Sequence, residues 1–99
     1  MDDKVTVVVL VGNSDDKLSQ EKWARFIQGV YYELEGWGET IEFYGGSSFQ
    51  ARWQNACVVA TMKGDIVAEL KKSLARLCAR YEQDSIAVVV GDTQFVRGE

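Results

Sequence analysis

Six segments follow one another in the order strand, helix, strand, strand, helix, strand, and that order predicts an α+β sandwich. Two runs, Val5–Val11 (VTVVVLV) and Ala56–Met62 (ACVVATM), are apolar at both odd and even positions, as suits central strands. Two longer segments repeat apolar residues every three or four positions, as helices with one buried face do. Short connections and right-handed crossovers then favour one sheet. The expected architecture is the ferredoxin-like βαββαβ sandwich, a four-stranded antiparallel sheet with two helices on one face and the first and third strands central. Its 99 residues make one domain, 1–99.

The elements are justified in order. After a short charged lead, Met1–Lys4, the first strand ends at Gly12. Ser19 is suited to be an N-cap, and Glu21 to the first turn of the helix it starts. Trp23, Ile27, Val30 and Leu34, widened by Phe26 and Tyr31, form the buried stripe, and Gly36 and Gly38 end the helix around Trp37. Glu39–Tyr44 alternates as an edge strand with one wet face, Ile41 and Phe43 pointing one way and Thr40, Glu42 and Tyr44 the other. Gly45–Gln54 is a long polar hairpin connection into the third strand. Lys63-Gly64 turns the chain, Asp65 is a plausible N-cap, and Ile66, Leu70, Leu74, Leu77 and Tyr81 mark the second helix with Val67 and Cys78. Ser85–Val90 (SIAVVV) is the last strand, which Thr93–Val96 could extend at an edge.

Composition narrows the function classes. The formal charge is −4, which argues against a duplex nucleic-acid binder. There is no histidine, which removes the commonest general base and the usual Ser-His and Cys-His nucleophiles. Cys57 and Cys78 sit in apolar contexts and read as reduced core thiols. The glycines after the first strand follow neither a P-loop nor a dinucleotide fingerprint, and Asp15, Asp16 and Asp84 lack EF-hand spacing. Lys72, Arg76 and Arg80 form a basic stripe at helical spacing that reads as a solvated face. No catalytic residue, metal or cofactor is assigned. No signal peptide or membrane-spanning run is visible, so no membrane partner is expected and the expected location is cytoplasmic.

The topology gathers the polar segments. With the first strand running upward, the upper end of the sheet collects three junctions: Gly12–Gln20, the hairpin into the third strand, and Glu82–Ser85. Each is rich in polar residues: Asn13, Ser14, Asp15, Asp16, Lys17 and Gln20; Arg52, Trp53, Gln54 and Asn55; Gln83, Asp84 and Ser85. These are the candidate ligand-binding residues. The amides suit neutral polar edges, the carboxylates accept from hydroxyl or amino groups, Lys17 and Arg52 balance a phosphate, and Trp53 offers a ring to stack on. The competing reading is turn chemistry, in which the same side chains bond their own backbone.

The motifs GNSDDKLSQEKW, WQNAC and YEQDSIA resemble a family of small uncharacterised actinobacterial and actinophage proteins with GNSDDKL, WQNAC and QDSIA motifs. The resemblance covers most of the chain and implies that Asn13, Asp15, Asp16, Lys17, Gln20, Trp23, Gln54, Asn55, Gln83, Asp84 and Ser85 are the positions to watch. If the chain is phage-encoded, its location would be the host cytoplasm.

A sheet with helices on one side only leaves its other face to be covered. Because the central strands are apolar on both faces, a homodimer packing sheet on sheet is expected. The functional expectation is a non-enzymatic protein that holds a small polar ligand at the upper pole, a nucleotide-type compound in one version. A narrower version is a phage sponge sequestering an immune signal. The alternatives are a protein–protein module that inhibits a host defence complex, and a small enzyme acting through Asp15, Asp16 and Lys17.

Overall fold

The computed structural model describes residues 3–38, 40–47 and 53–98, apart from the side chain of Ser14. The elements are β1 (Lys4–Gly12), a 3-10 turn (Ser14–Asp16), α1 (Gln20–Trp37), β2 (Thr40–Gly46), β3 (Asn55–Lys63), a second 3-10 turn (Gly64–Ile66), α2 (Val67–Arg80) and β4 (Ala87–Asp92). The sheet is antiparallel in the order β2-β3-β1-β4, and both helices cover the same face, so the ferredoxin-like sandwich is the fold of this chain.

The alternation of β1 and β3 decides what is buried. Val7, Val9 and Val11 face the helices together with Ala56, Val58, Ala60 and Met62, all of them essentially inaccessible. Phe26, Ile27, Val30 and Leu34 from α1, and Val67, Leu70 and Leu74 from α2, close the core over them. Phe26 touches Tyr81 at a ring-centroid distance of 5.2 Å. Gly29 lets the helices approach, since a Cβ there would meet the Leu77 methyls at 3.1 Å. The odd set of valines in β1 is therefore core, whereas Thr6, Val8 and Leu10 lie on the opposite face, over which no helix or strand of the described residues packs. Burial of the central strands on both sides is thus not achieved within one chain.

Helix ends follow capping chemistry. Ser19 caps α1 as expected, its Oγ accepting from the Lys22 backbone N–H at 3.3 Å. The helix runs through Gly36 and stops at Trp37, and the Gly38 N–H donates to the Leu34 carbonyl at 2.6 Å. The indole of Trp37 donates to Ser73 Oγ at 3.1 Å, which ties the end of α1 to the middle of α2. At the other end of α2 the Gln83 N–H reaches the Cys78 carbonyl and the Glu82 N–H the Ala79 carbonyl. This is a Schellman closure with Glu82, at φ 54°, where glycine is usual.

Several expectations need correction. Asp65 caps nothing; it lies inside the 3-10 turn Gly64–Ile66, and α2 starts from Ile66 without a side-chain cap. Ile41 and Phe43 do not share a face. A bulge between them shifts the register, so Ile41 pairs with Ala60 on the helix side, Phe43 with Val59 on the open side and Tyr44 with Val58. β2 extends through Gly45 and Gly46, which shortens the connecting hairpin. β4 begins two residues later than the apolar run, because Ser85 and Ile86 belong to the turn out of α2, and Thr93–Val96 are not strand.

Two substitutions test the helix ends. Gly38→Ala would place its Cβ 2.6 Å from the Leu34 carbonyl oxygen and is expected to destabilise by about 1–3 kcal/mol in urea unfolding. Glu82→Gly relieves a left-handed residue and is expected to stabilise by about 1 kcal/mol in the same measurement.

Candidate functional site

The upper pole is built from Asn13 outward. Asn13 is wholly buried at the end of β1. Its backbone N–H donates to the Gln54 carbonyl at 2.8 Å, adding one rung to the β1–β3 pairing beyond Gly12. Its side-chain Oδ1 accepts from the Leu18 N–H at 2.9 Å, and its Nδ2 donates to the Leu18 carbonyl at 3.0 Å and to Gln54 Oε1 at 3.2 Å. The Asn13 carbonyl accepts from the Asp16 N–H at 3.0 Å. The six residues from Asn13 to Leu18 are thus closed into a loop whose apolar anchor, Leu18, is itself buried.

The other amides are similarly engaged. Gln54 Nε2 donates to Gln20 Oε1 at 2.8 Å, which links the hairpin to the first turn of α1. Gln83 Nε2 donates to the Tyr81 carbonyl at 3.2 Å, and the Gln83 carbonyl accepts from the Cys78 thiol at 3.0 Å. Asn55 pairs through its backbone with Ser47 Oγ across the hairpin mouth, and its Nδ2 approaches the Trp53 carbonyl. The expectation that Asn13 reads a ligand is overturned. Both ends of its amide are bonded to the chain and none of its surface is accessible, because the polar residue at a buried strand end must satisfy backbone groups first.

The remaining candidates divide by position. Ser14, Asp15 and Asp16 form the 3-10 turn, Asp15 at φ 59° and Asp16 at φ 52°. Aspartate tolerates that region better than most residues. Lys17 is drawn to Asp84 across the pole, Nζ to Oδ1 at 3.8 Å, which brings the first and third junctions together. Asp84 and Ser85 are exposed and rim a groove of about 570 Å³ between α2 and β4, floored by Leu74, Ala75, Cys78, Ile86 and Val88. Trp53 is partly exposed at the hairpin. Arg52, with most of the hairpin tip, lies outside the described residues. Asp15, Asp16 and Asp84 do not converge into a metal-holding group among the described residues.

A second depression at the same pole was not foreseen. It holds about 260 Å³ between the start of α1 and the end of α2, and four cations line it: Lys17, Lys22, Arg25 and Arg80, with Tyr81 and Glu82. Arg25 is bonded to Glu21 at 2.7 Å and Lys17 leans to Asp84, whereas Lys22 and Arg80 have no acidic partner among the described residues. The signal was present in the order of elements. α2 ends where α1 begins, so the last cation of the basic stripe on α2 meets Lys22 and Arg25 in the first two turns of α1. The other members of that stripe point elsewhere, Lys72 to Glu69 at 3.4 Å and Arg76 to Ser73 Oγ at 3.2 Å. The non-glycine residues with positive φ among the described ones are Asp15, Asp16 and Glu82, all at this pole.

The thiols sit on opposite sides of the sheet. Cys57 is on the open face of β3, and Cys78 is buried on α2 beneath the groove, so no disulfide joins them. Burial, and then the carboxylate of Asp84, pushes the Cys78 thiol above its ordinary range, which keeps it protonated and unreactive at neutral pH.

No family model matches the chain, and no curated protein matches its sequence. Solved structures do match in shape. A dimeric ferredoxin-like protein of unknown function from Thermobifida fusca is 11% identical with a TM-score of 0.62, over 91% of this chain and 92% of that one. The hydroxynitrile lyase of Passiflora edulis is 11% identical with a TM-score of 0.59, over 99% of this chain and all of that one. The de novo designed protein Foldit4 is 13% identical with a TM-score of 0.58, over 92% of this chain and 97% of that one. At these identities the likeness establishes the fold alone.

Asn13→Ala would leave the Leu18 N–H and carbonyl without their partners in a buried site. It is expected to cost about 2–3 kcal/mol in urea unfolding. Asn13→Asp, which replaces the donor by a buried carboxylate facing three acceptors, the Asp16 carboxylate among them, is expected to cost more.

Proposed function

We propose that the chain is a non-enzymatic binding protein that holds a small phosphate-bearing ligand at the upper pole. The supporting observation is the cleft lined by Lys17, Lys22, Arg25 and Arg80, which concentrates cations in a chain of net charge −4. Four cations converging on a concave site favour an anion, and guanidinium groups pair with phosphate oxygens in two-point geometry. The Lys17–Asp84 pair stands between this cleft and the apolar groove. A ligand with a charged end and a flat apolar body, such as a nucleotide, would set its phosphate on one side of that pair and its ring on the other. Glu82 also lines the cleft, so its carboxylate is one acidic group facing an anion there.

The amides bonded within the loop give the site stiffness, and direct recognition falls to Lys17, Lys22, Arg25, Arg80, Asp84 and Ser85. The resemblance to actinophage proteins makes dinucleotide immune signals the first compounds of that class to try. The protein acts as a homodimer joined through the open face of its sheet. No helix of the described residues is long and apolar enough to cross a membrane.

Thermal melting with inorganic phosphate, mononucleotides and linear and cyclic dinucleotides tests the binding reading. At least one of these compounds is expected to raise the midpoint by several degrees, with binding weakening as salt rises. Lys22→Glu and Arg80→Glu are expected to weaken that ligand at least about tenfold while changing basal stability by no more than about 0.5 kcal/mol, because both side chains are at the surface. A panel without any shift would sink the reading.

A further inference from the structure

The open face of the sheet has a defined order. Register places Phe43, Val59, Val8 and Val89 side by side in one row across all four strands. The row above is Gly45, Cys57, Leu10 and Ala87, and the row below ends in Thr61, Thr6 and Gly91. The Phe43 ring lies over Gly45, where a Cβ would meet it at 2.6 Å. Among the described residues of these rows there is no charged group; Glu42 beside them reaches Thr61 Oγ1, and Lys4 and Lys63 mark only the lower margin. The two upper rows are thus uncharged, and charge reaches this face only at its lower rows, through the Glu42 carboxylate and the two lysines, so two copies of an acidic chain can bring the upper rows together without repulsion.

That face is too small by itself. Four strands about 4.8 Å apart and three rows about 6.8 Å deep cover roughly 400 Å² in projection. A stable interface takes about 800 Å² of accessible surface from each partner. Side-chain relief narrows that gap, and apolar surface beside the rows would narrow it further.

Segment 93–98 leaves β4 on the open side. Thr93 is hydrogen-bonded through its hydroxyl to the hydroxyl of Thr6, which is in the lowest row of the open face. Beyond this anchor Phe95 and Val96 are almost bare, at 84% and 95% of full exposure. One aromatic side chain buries about 150–250 Å², the scale of the shortfall. The apolar groove of the same chain between α2 and β4 is on the helix side, away from the face to which Thr93 is fixed.

We infer that segment 93–98 is an arm that packs Phe95 and Val96 onto a second copy of this chain, completing the interface formed by the two open sheet faces. The inference rests on the proposed sheet-to-sheet dimer. Two-fold symmetry uses the arm twice, so each substitution removes two contacts.

Sedimentation equilibrium of the full chain, with Leu10→Lys and the double variant Phe95→Ser/Val96→Ser, tests it. The unaltered chain is expected at twice 11.1 kDa, and Leu10→Lys as a monomer. The double variant is expected to melt like the monomeric Leu10→Lys protein, and to dissociate at least about 100-fold more readily than the unaltered chain. A double variant that dimerises as tightly as the unaltered chain overturns the arm, and the dimer stands if Leu10→Lys still separates it. An unaltered chain found only as a monomer, or a Leu10→Lys dimer as tight as the original, overturns the sheet-face dimer and the arm with it.

Discussion

One buried amide holds the upper end of this molecule together. Asn13 sits where β1 runs out, and four segments depend on it: the last rung to β3, the 3-10 turn, the Leu18 anchor and the hairpin glutamine. Its side chain mimics a backbone unit, offering one acceptor and a two-hydrogen donor to groups that would otherwise be stranded in a dry site. The start of α1, whose first two turns supply Lys22 and Arg25, follows directly from this fixed point.

The strands and helices were legible because each carries its own period. The two valine-rich strands, the Ser19 cap and the helical stripes are local patterns, and the topology followed from them. What was not legible requires a partner to define it. The bulge at Glu42 exists only relative to β3, so alternation within β2 gave the wrong face for Phe43. The start of β4 depends on where Leu10 lies, and the Ser85–Ile86 pair is apolar enough to be mistaken for strand. The candidate site was half read. Sequence counts donors and acceptors but does not say to whom they are given. Asn13 reads from the sequence as an amide for a ligand, whereas the chain itself uses it, and the sequence does not show that the end of α2 sets the exposed Arg80 beside the cleft.

The fold is indifferent to chemistry. A plant lyase and a designed protein share it with this chain at about one residue in nine. What distinguishes this molecule is the uneven use of its two ends. Strained backbone, cations and satisfied amides gather at the upper pole, and the lower pole has the plain link from Trp37 to Ser73 in the middle of α2.

The bulge in β2 also limits how such a molecule can grow. An unbroken edge strand is a template on which another chain can lay a strand, and repeated addition has no natural end. Here the extra residue between Ile41 and Phe43 skews the hydrogen-bonding line of that edge. Face-to-face stacking consumes its own surface once two sheets have met. At the β2 edge, strand register as well as net charge therefore opposes open-ended addition, whereas the β4 edge runs in unbroken register.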